Sequence, residues 1–72
     1  MKSFPKLMPL LSETAKEVCD ENTALLGAVD RFALGKLILI FIDKCGYGVN
    51  FDMARLALIA ELKRRDINFR TE

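Results

Sequence analysis

The sequence predicts an all-α fold, a single small domain of three helices packed as a homodimeric helical bundle. Apolar residues recur at helical spacing in the second half of the chain, and six large apolar residues stand consecutively at positions 37–42. The chain has 72 residues, and so short a domain buries a modest share of its surface. Domains of this size often depend on a disulfide, a metal or a partner subunit, and here we expect a partner subunit.

The N-terminal segment, residues 1–11, is expected to be an irregular apolar arm. Pro5 and Pro9 disfavour helical backbone at the residues before them, Phe4 and Met8. Large apolar side chains are nevertheless frequent in the segment, which is unusual for a solvated tail. We therefore expect the arm to pack on a neighbouring surface, either in its own subunit or in a partner.

Residues 12–20 are predicted to form a short amphipathic helix. Ser12 is a suitable N-cap, and Val18 and Cys19 fall on the apolar face of the helix. The polar residues at positions 20–23 predict a break after it. One bent helix running through this segment is the alternative.

Residues 24–45 are predicted to form one long apolar central helix of about six turns. Apolar side chains recur at helical spacing up to the run at 37–42, and Gly46 is suited to the left-handed backbone that ends a helix. The run is also rich in β-forming residues, so a buried strand is the alternative for it. We favour the helix because its spacing continues into the run and no second convincing strand is available for pairing.

Residues 51–65 are predicted to form the C-terminal amphipathic helix. Asn50 is a suitable N-cap, and Ala54, Leu58 and Leu62 make one apolar stripe. Basic residues at the end of the helix complement its dipole. Residues 66–72 are expected to be a tail.

The central run also predicts self-association. Its side chains point in all directions around a helix, whereas two neighbouring helices can cover about two sides. A twofold axis would pair the uncovered side with its own copy. The residues that we expect at this oligomer interface are Leu37, Ile38, Phe41 and Ile42.

Composition argues against several function classes. The net charge is +1, which gives no general attraction to nucleic acid or to an anionic membrane. Three charged residues, Asp30, Arg31 and Lys36, interrupt the apolar window that a membrane span would need. The chain has no histidine, the commonest general base, so we expect no enzyme, no metal site and no cofactor. We expect Cys19 and Cys45 to be free, buried thiols in a cytoplasmic protein.

By elimination, the sequence favours a non-enzymatic protein–protein interaction module. Such a module would act as a regulator, adaptor or inhibitor of a larger protein, as a homodimer. The alternative is a small nucleic-acid-binding regulator that uses the basic end of the last helix. Its contact residues would be Arg55, Lys63, Arg64, Arg65 and Arg70. Nearby acidic residues dilute this charge, and few phosphates would be neutralised.

Overall fold

The computed structural model describes residues 3–46 and 48–69, with the backbone alone described for residues 3–9. Three α-helices occupy most of this part of the chain: α1 (Ser3–Glu21), α2 (Arg31–Cys45) and α3 (Phe51–Arg64), with a short 3₁₀ helix at Thr23–Gly27. The predicted all-α fold of three helices is confirmed. The run at 37–42 lies inside α2, so the helix predicted there is confirmed over the alternative of a buried strand.

Helix α1 begins at Ser3, so the irregular arm predicted for residues 1–11 is wrong over its described part. Pro5 lies in the first turn, where a backbone N–H has no partner within the helix and proline is tolerated. Pro9 removes one hydrogen bond, and the helix continues past it. Ser12 therefore lies within the helix and is not its N-cap. The break predicted near residues 20–23 is confirmed, because α1 ends at Glu21.

Helix α2 is shorter than the central helix predicted for residues 24–45. The 3₁₀ helix ends at Gly27, and extended backbone at Ala28 separates it from α2. The carboxylate of Asp30 accepts a hydrogen bond of 2.8 Å from the backbone N–H of Ala33, which makes Asp30 the N-cap of α2. The segment predicted as one long helix thus contains the 3₁₀ helix and α2, and the apolar run at 37–42 lies in α2.

The local signals at the other helix ends were predicted correctly. Gly46 has a φ of 69° and its N–H donates to the carbonyl of Ile42 at 3.0 Å, which ends α2. The side chain of Asn50 accepts a hydrogen bond of 2.8 Å from the N–H of Met53, which caps α3. Beyond α3 the tail turns back, and Phe69 forms an isolated parallel β-bridge with Val29.

The three helices pack pairwise around one core. Every helix contacts the other two, so all three contribute to the same core. The core is completed by Val29 and Val49 from the connecting segments. Its largest fully buried side chains are Phe41, Leu37, Ile38, Leu58, Leu62, Val18 and Cys19.

Ion pairs join the C-terminal half of α1 to both other helices. Lys44 Nζ, on α2, lies 3.2 Å from Glu21 Oε1 and 3.8 Å from Glu17 Oε1. Arg65, directly after α3, donates to Asp20 at 2.7 Å. These contacts link α1 to α2 and α3 at the surface, beside the core that the three helices share.

Candidate protein-binding surfaces

A groove runs between α1 and α3, with a volume of about 660 Å³. Apolar side chains make up most of its lining. Leu56 is 61% exposed there, which is high for a large apolar residue. The residues that line the groove are Leu11, Ser12, Met53, Leu56, Ala57, Ala60, Glu61, Lys63 and Arg64.

The charged groups of this α1–α3 groove lie at its C-terminal end on α3. Glu61 is only 5% exposed and accepts hydrogen bonds from Arg64 at 2.9 Å and from Arg65 at 2.6 Å. The pKa of Arg65 is raised above its ordinary range by its hydrogen bonds to Glu61 and Asp20, so its charge is permanent. Because Arg64 is paired with Glu61, the cation that a ligand in the groove meets without an ion-pair partner among the described residues is Lys63.

A second apolar surface lies on the outer face of α2. We call it the α2 stripe: Phe32, Lys36, Leu39 and Asp43, all exposed. Their spacing of four, three and four residues places them on one face of the helix. Phe32 is 73% and Leu39 is 63% exposed, and Lys36 Nζ lies 5.4 Å from the centre of the Phe32 ring.

Most of the residues predicted for an oligomer interface lie in the core of a single chain. Leu37, Ile38 and Phe41 are 0%, 1% and 0% exposed, because α1 and α3 cover them within one chain. Buried in this way, they have no surface to offer to a second copy. Ile42 is half-buried, and the member of the run that faces outward most is Leu39.

The residues of the nucleic-acid alternative do not form an unopposed basic patch. Arg64 and Arg65 both pair with Glu61, and Arg65 also pairs with Asp20. Arg55 and Lys63 are exposed on α3. The fifth predicted contact, Arg70, lies outside the described residues.

The two cysteines are free, as predicted, and both are buried. Burial is the main cause that raises the pKa of the Cys19 thiol above its ordinary value, which keeps it protonated near neutral pH. Among the described residues, no three His, Cys, Asp or Glu side chains come close enough together to hold a metal ion.

Neither surface was predicted from the sequence, although part of each was readable. Helical spacing places the four residues of the α2 stripe on one face, whereas the exposure of that face depends on where α1 and α3 pack. Leu56 lies outside the predicted apolar stripe of Ala54, Leu58 and Leu62, and it faces the groove. On the α1 side the described lining is Leu11 and Ser12, so predicting the groove needed α1 to continue back past residue 12.

Comparisons with known proteins give no relative. No protein-family model matches the chain, and no curated protein or solved structure is significantly similar to it. Among the described helices, none combines the length and the apolar character that crossing a membrane requires.

Proposed function

We propose that this protein is a non-enzymatic protein–protein interaction module that regulates, adapts or inhibits a larger protein. Its α1–α3 groove binds a helical segment of that protein, and the module acts as a homodimer. The observation that carries the proposal is the apolar lining of the groove with Leu56 exposed at 61%. A large apolar side chain left in water forgoes roughly 1.5–3 kcal/mol, which a bound partner would recover.

The shape of the groove supports a helix as the ligand. Its lining runs along α3 from Met53 to Arg64 and includes Leu11 and Ser12 of α1, and an amphipathic helix can lay its apolar face into such a groove. A partner helix with large apolar side chains three or four positions apart would fill it.

The charges support an acidic residue at one end of the partner helix. Lys63 and Arg64 are exposed at the groove, while Glu61 is buried and already accepts two hydrogen bonds. A carboxylate of the partner would therefore pair with Lys63, since Arg64 already pairs with Glu61. Such complementarity contributes more to orientation and to the association rate than to affinity.

The test compares two leucines of nearly equal exposure on different surfaces. Leu56 lines the groove and Leu39 lies on α2, at 61% and 63% exposure. The protein with each of the substitutions Leu56→Glu and Leu39→Glu would be immobilised and used to capture partners from its native lysate. We expect one protein that is retained by the unmutated chain and by Leu39→Glu, and is lost with Leu56→Glu. A partner protein retained equally by the unmutated chain and by both variants would contradict the proposal that the groove binds it.

The homodimer has its own test in sedimentation velocity across a concentration series. The exposed apolar residues on α2 support self-association, since Phe32 and Leu39 lie two turns apart on one face. We expect the mass to approach twice that of one chain as concentration rises. A mass that stays at one chain throughout would contradict the homodimer and leave the groove unaffected.

A further inference from the structure

We infer that the second copy of the homodimer docks on the α2 stripe, with the two α2 helices antiparallel about a twofold axis near Leu39. The inference rests on the proposed homodimer and adds the surface, the orientation and the residue pairs. It is carried by two observations on the same helix face. Large apolar side chains are exposed there, and the charges beside them are arranged so that the stripe is complementary to itself.

The apolar part of the stripe supplies the contact. Leu39 stands at its centre and Phe32 at its N-terminal end, with 63% and 73% of their surfaces exposed. Position 35, beside the stripe, is Gly35, and a Cβ placed there would meet no atom within 4 Å. The backbone of α2 is thus accessible next to Leu39, and a second helix can approach it closely.

The charged part of the stripe selects the orientation. Lys36 and Asp43 flank Leu39 on its two sides, and the midpoint between them falls between Leu39 and Ile40. Within the described residues neither takes part in an ion pair. An antiparallel second copy centred at this midpoint brings Lys36 of each chain to Asp43 of the other.

A parallel arrangement is disfavoured by the same charges. With the twofold axis along the helices, Lys36 would face Lys36 and Asp43 would face Asp43, and like charges repel. The antiparallel contact repeats each pair of opposite charges twice, which is the property of an isologous interface. Exposed ion pairs contribute little to affinity, so here they choose the register while Leu39, opposite Ile40 of the second copy, provides the central apolar contact. Phe32 lies opposite a position past Cys45, where α2 ends.

Charge reversal tests the pairing directly. The variants Lys36→Glu, Asp43→Lys and the double exchange Lys36→Glu/Asp43→Lys all change exposed positions, and circular dichroism would verify their helical content. Dimer dissociation constants would come from sedimentation equilibrium. We expect each single variant to raise the constant about tenfold, since both pairs become repulsive, and the double exchange to restore it to within about threefold. Arg55→Glu, an exposed charge reversal on α3, is the matched control and leaves the constant unchanged.

A mixture of the two single variants gives the clearest test of the pairing. Lys36→Glu and Asp43→Lys mixed together are expected to form a heterodimer tighter than either homodimer, because one of its two pairs of facing positions joins Lys36 to Asp43 and the other joins the introduced Glu to the introduced Lys. Unchanged dimer dissociation constants in both single variants would overturn docking on the α2 stripe while leaving the homodimer in place. Single variants that weaken the dimer without recovery in the double exchange would overturn the pairing. An unmutated chain that stays monomeric would overturn the homodimer, and this inference with it.

Discussion

Arg65 Nε donates a hydrogen bond of 2.6 Å to Glu61 Oε2, which belongs to a carboxylate only 5% exposed. The same guanidinium reaches across to α1, where it donates to Asp20 at 2.7 Å and to the carbonyl of Lys16 at 3.4 Å. Among the residues whose side chains the structure describes, Glu61 is the one charged residue that is buried. Arg65 thus compensates a buried charge on α3 and at the same time holds α3 against α1, beside the groove.

Replacing Arg65 with alanine should destabilise the protein strongly. The loss removes charge-assisted hydrogen bonds of a buried carboxylate, but Arg65 is 27% exposed and Arg64 still donates to Glu61, so we expect about 1.5–3 kcal/mol. Urea unfolding measures the loss. Arg64→Ala is the matched control, since Arg64 bonds to the same carboxylate but is 59% exposed, and it should cost under about 1 kcal/mol. Equal losses in the two variants would show that Arg65 has no special part in joining α1 to α3.

Replacing Asp66 with glycine should stabilise the protein. Asp66 has a φ of 60°, in the left-handed region that favours glycine, directly after the C-cap of α3. Its N–H donates to Lys63 and that of Ile67 to Leu62, the paired bonds of a Schellman motif. Removing the Cβ penalty should add about 1 kcal/mol to the free energy of unfolding.

Two further variants separate backbone from charge at this position. Asp66→Asn keeps a residue that tolerates left-handed backbone and removes the charge, so it should differ little from the unmutated chain. Asp66→Ala should gain nothing. A gain in Asp66→Asn as large as in Asp66→Gly would assign the effect to the lost charge beside the basic end of α3.

The helix ends predicted correctly from the sequence are those set by one residue and its neighbours. Gly46 and Asn50 end and begin helices through their own backbone or side chain, and such signals need no tertiary structure. Asp30 carries the same kind of signal. The apolar spacing on either side of it nevertheless predicts an uninterrupted helix, whereas the side-chain bond to Ala33 starts a new one.

The outward direction of the apolar run was not readable for a different reason. Successive residues of a helix differ by 100° in direction, so burial of Leu37 and exposure of Leu39 depend on where α1 and α3 lie. The sequence determines that some side of the run is uncovered, and packing decides which. The groove likewise needed α1 to continue back through Leu11, whereas the prolines of residues 1–11 predict an irregular arm there.

Phe41 and Leu39, both in the apolar run at 37–42, should respond differently to replacement by alanine. Phe41→Ala opens a cavity in the core of one chain and should cost about 3–5 kcal/mol at any protein concentration. Leu39→Ala removes an exposed side chain and should change the stability of the monomer by less than about 0.5 kcal/mol. Urea unfolding at two concentrations a hundredfold apart distinguishes them. A loss in Phe41→Ala that disappears on dilution would place Phe41 at an interface.

Alkaline pH should weaken the fold through Cys19. The thiol is fully buried, and burial raises its pKa above the ordinary value of 9.0, with Glu61 and Asp20 adding to the rise and Arg65 opposing it. Well below pH 9 both the folded and the unfolded protein hold the proton, so the contribution of Cys19 to stability is complete. Above it the unfolded chain releases the proton first, and stability falls as the pH rises towards the pKa of the folded state.

The test follows the free energy of unfolding from pH 7 to pH 10.5 in the unmutated chain and in Cys19→Ala. Tyrosine and lysine side chains also titrate towards the alkaline end, so the difference between the two proteins is the quantity that reports on Cys19. At pH 7 we expect the unmutated chain to be the more stable, because alanine leaves part of the core unfilled. The difference should narrow steadily above pH 9, since the alanine variant has no thiol to ionise. Two pH profiles that stay parallel would mean that the Cys19 thiolate forms as readily in the folded protein as in the unfolded chain.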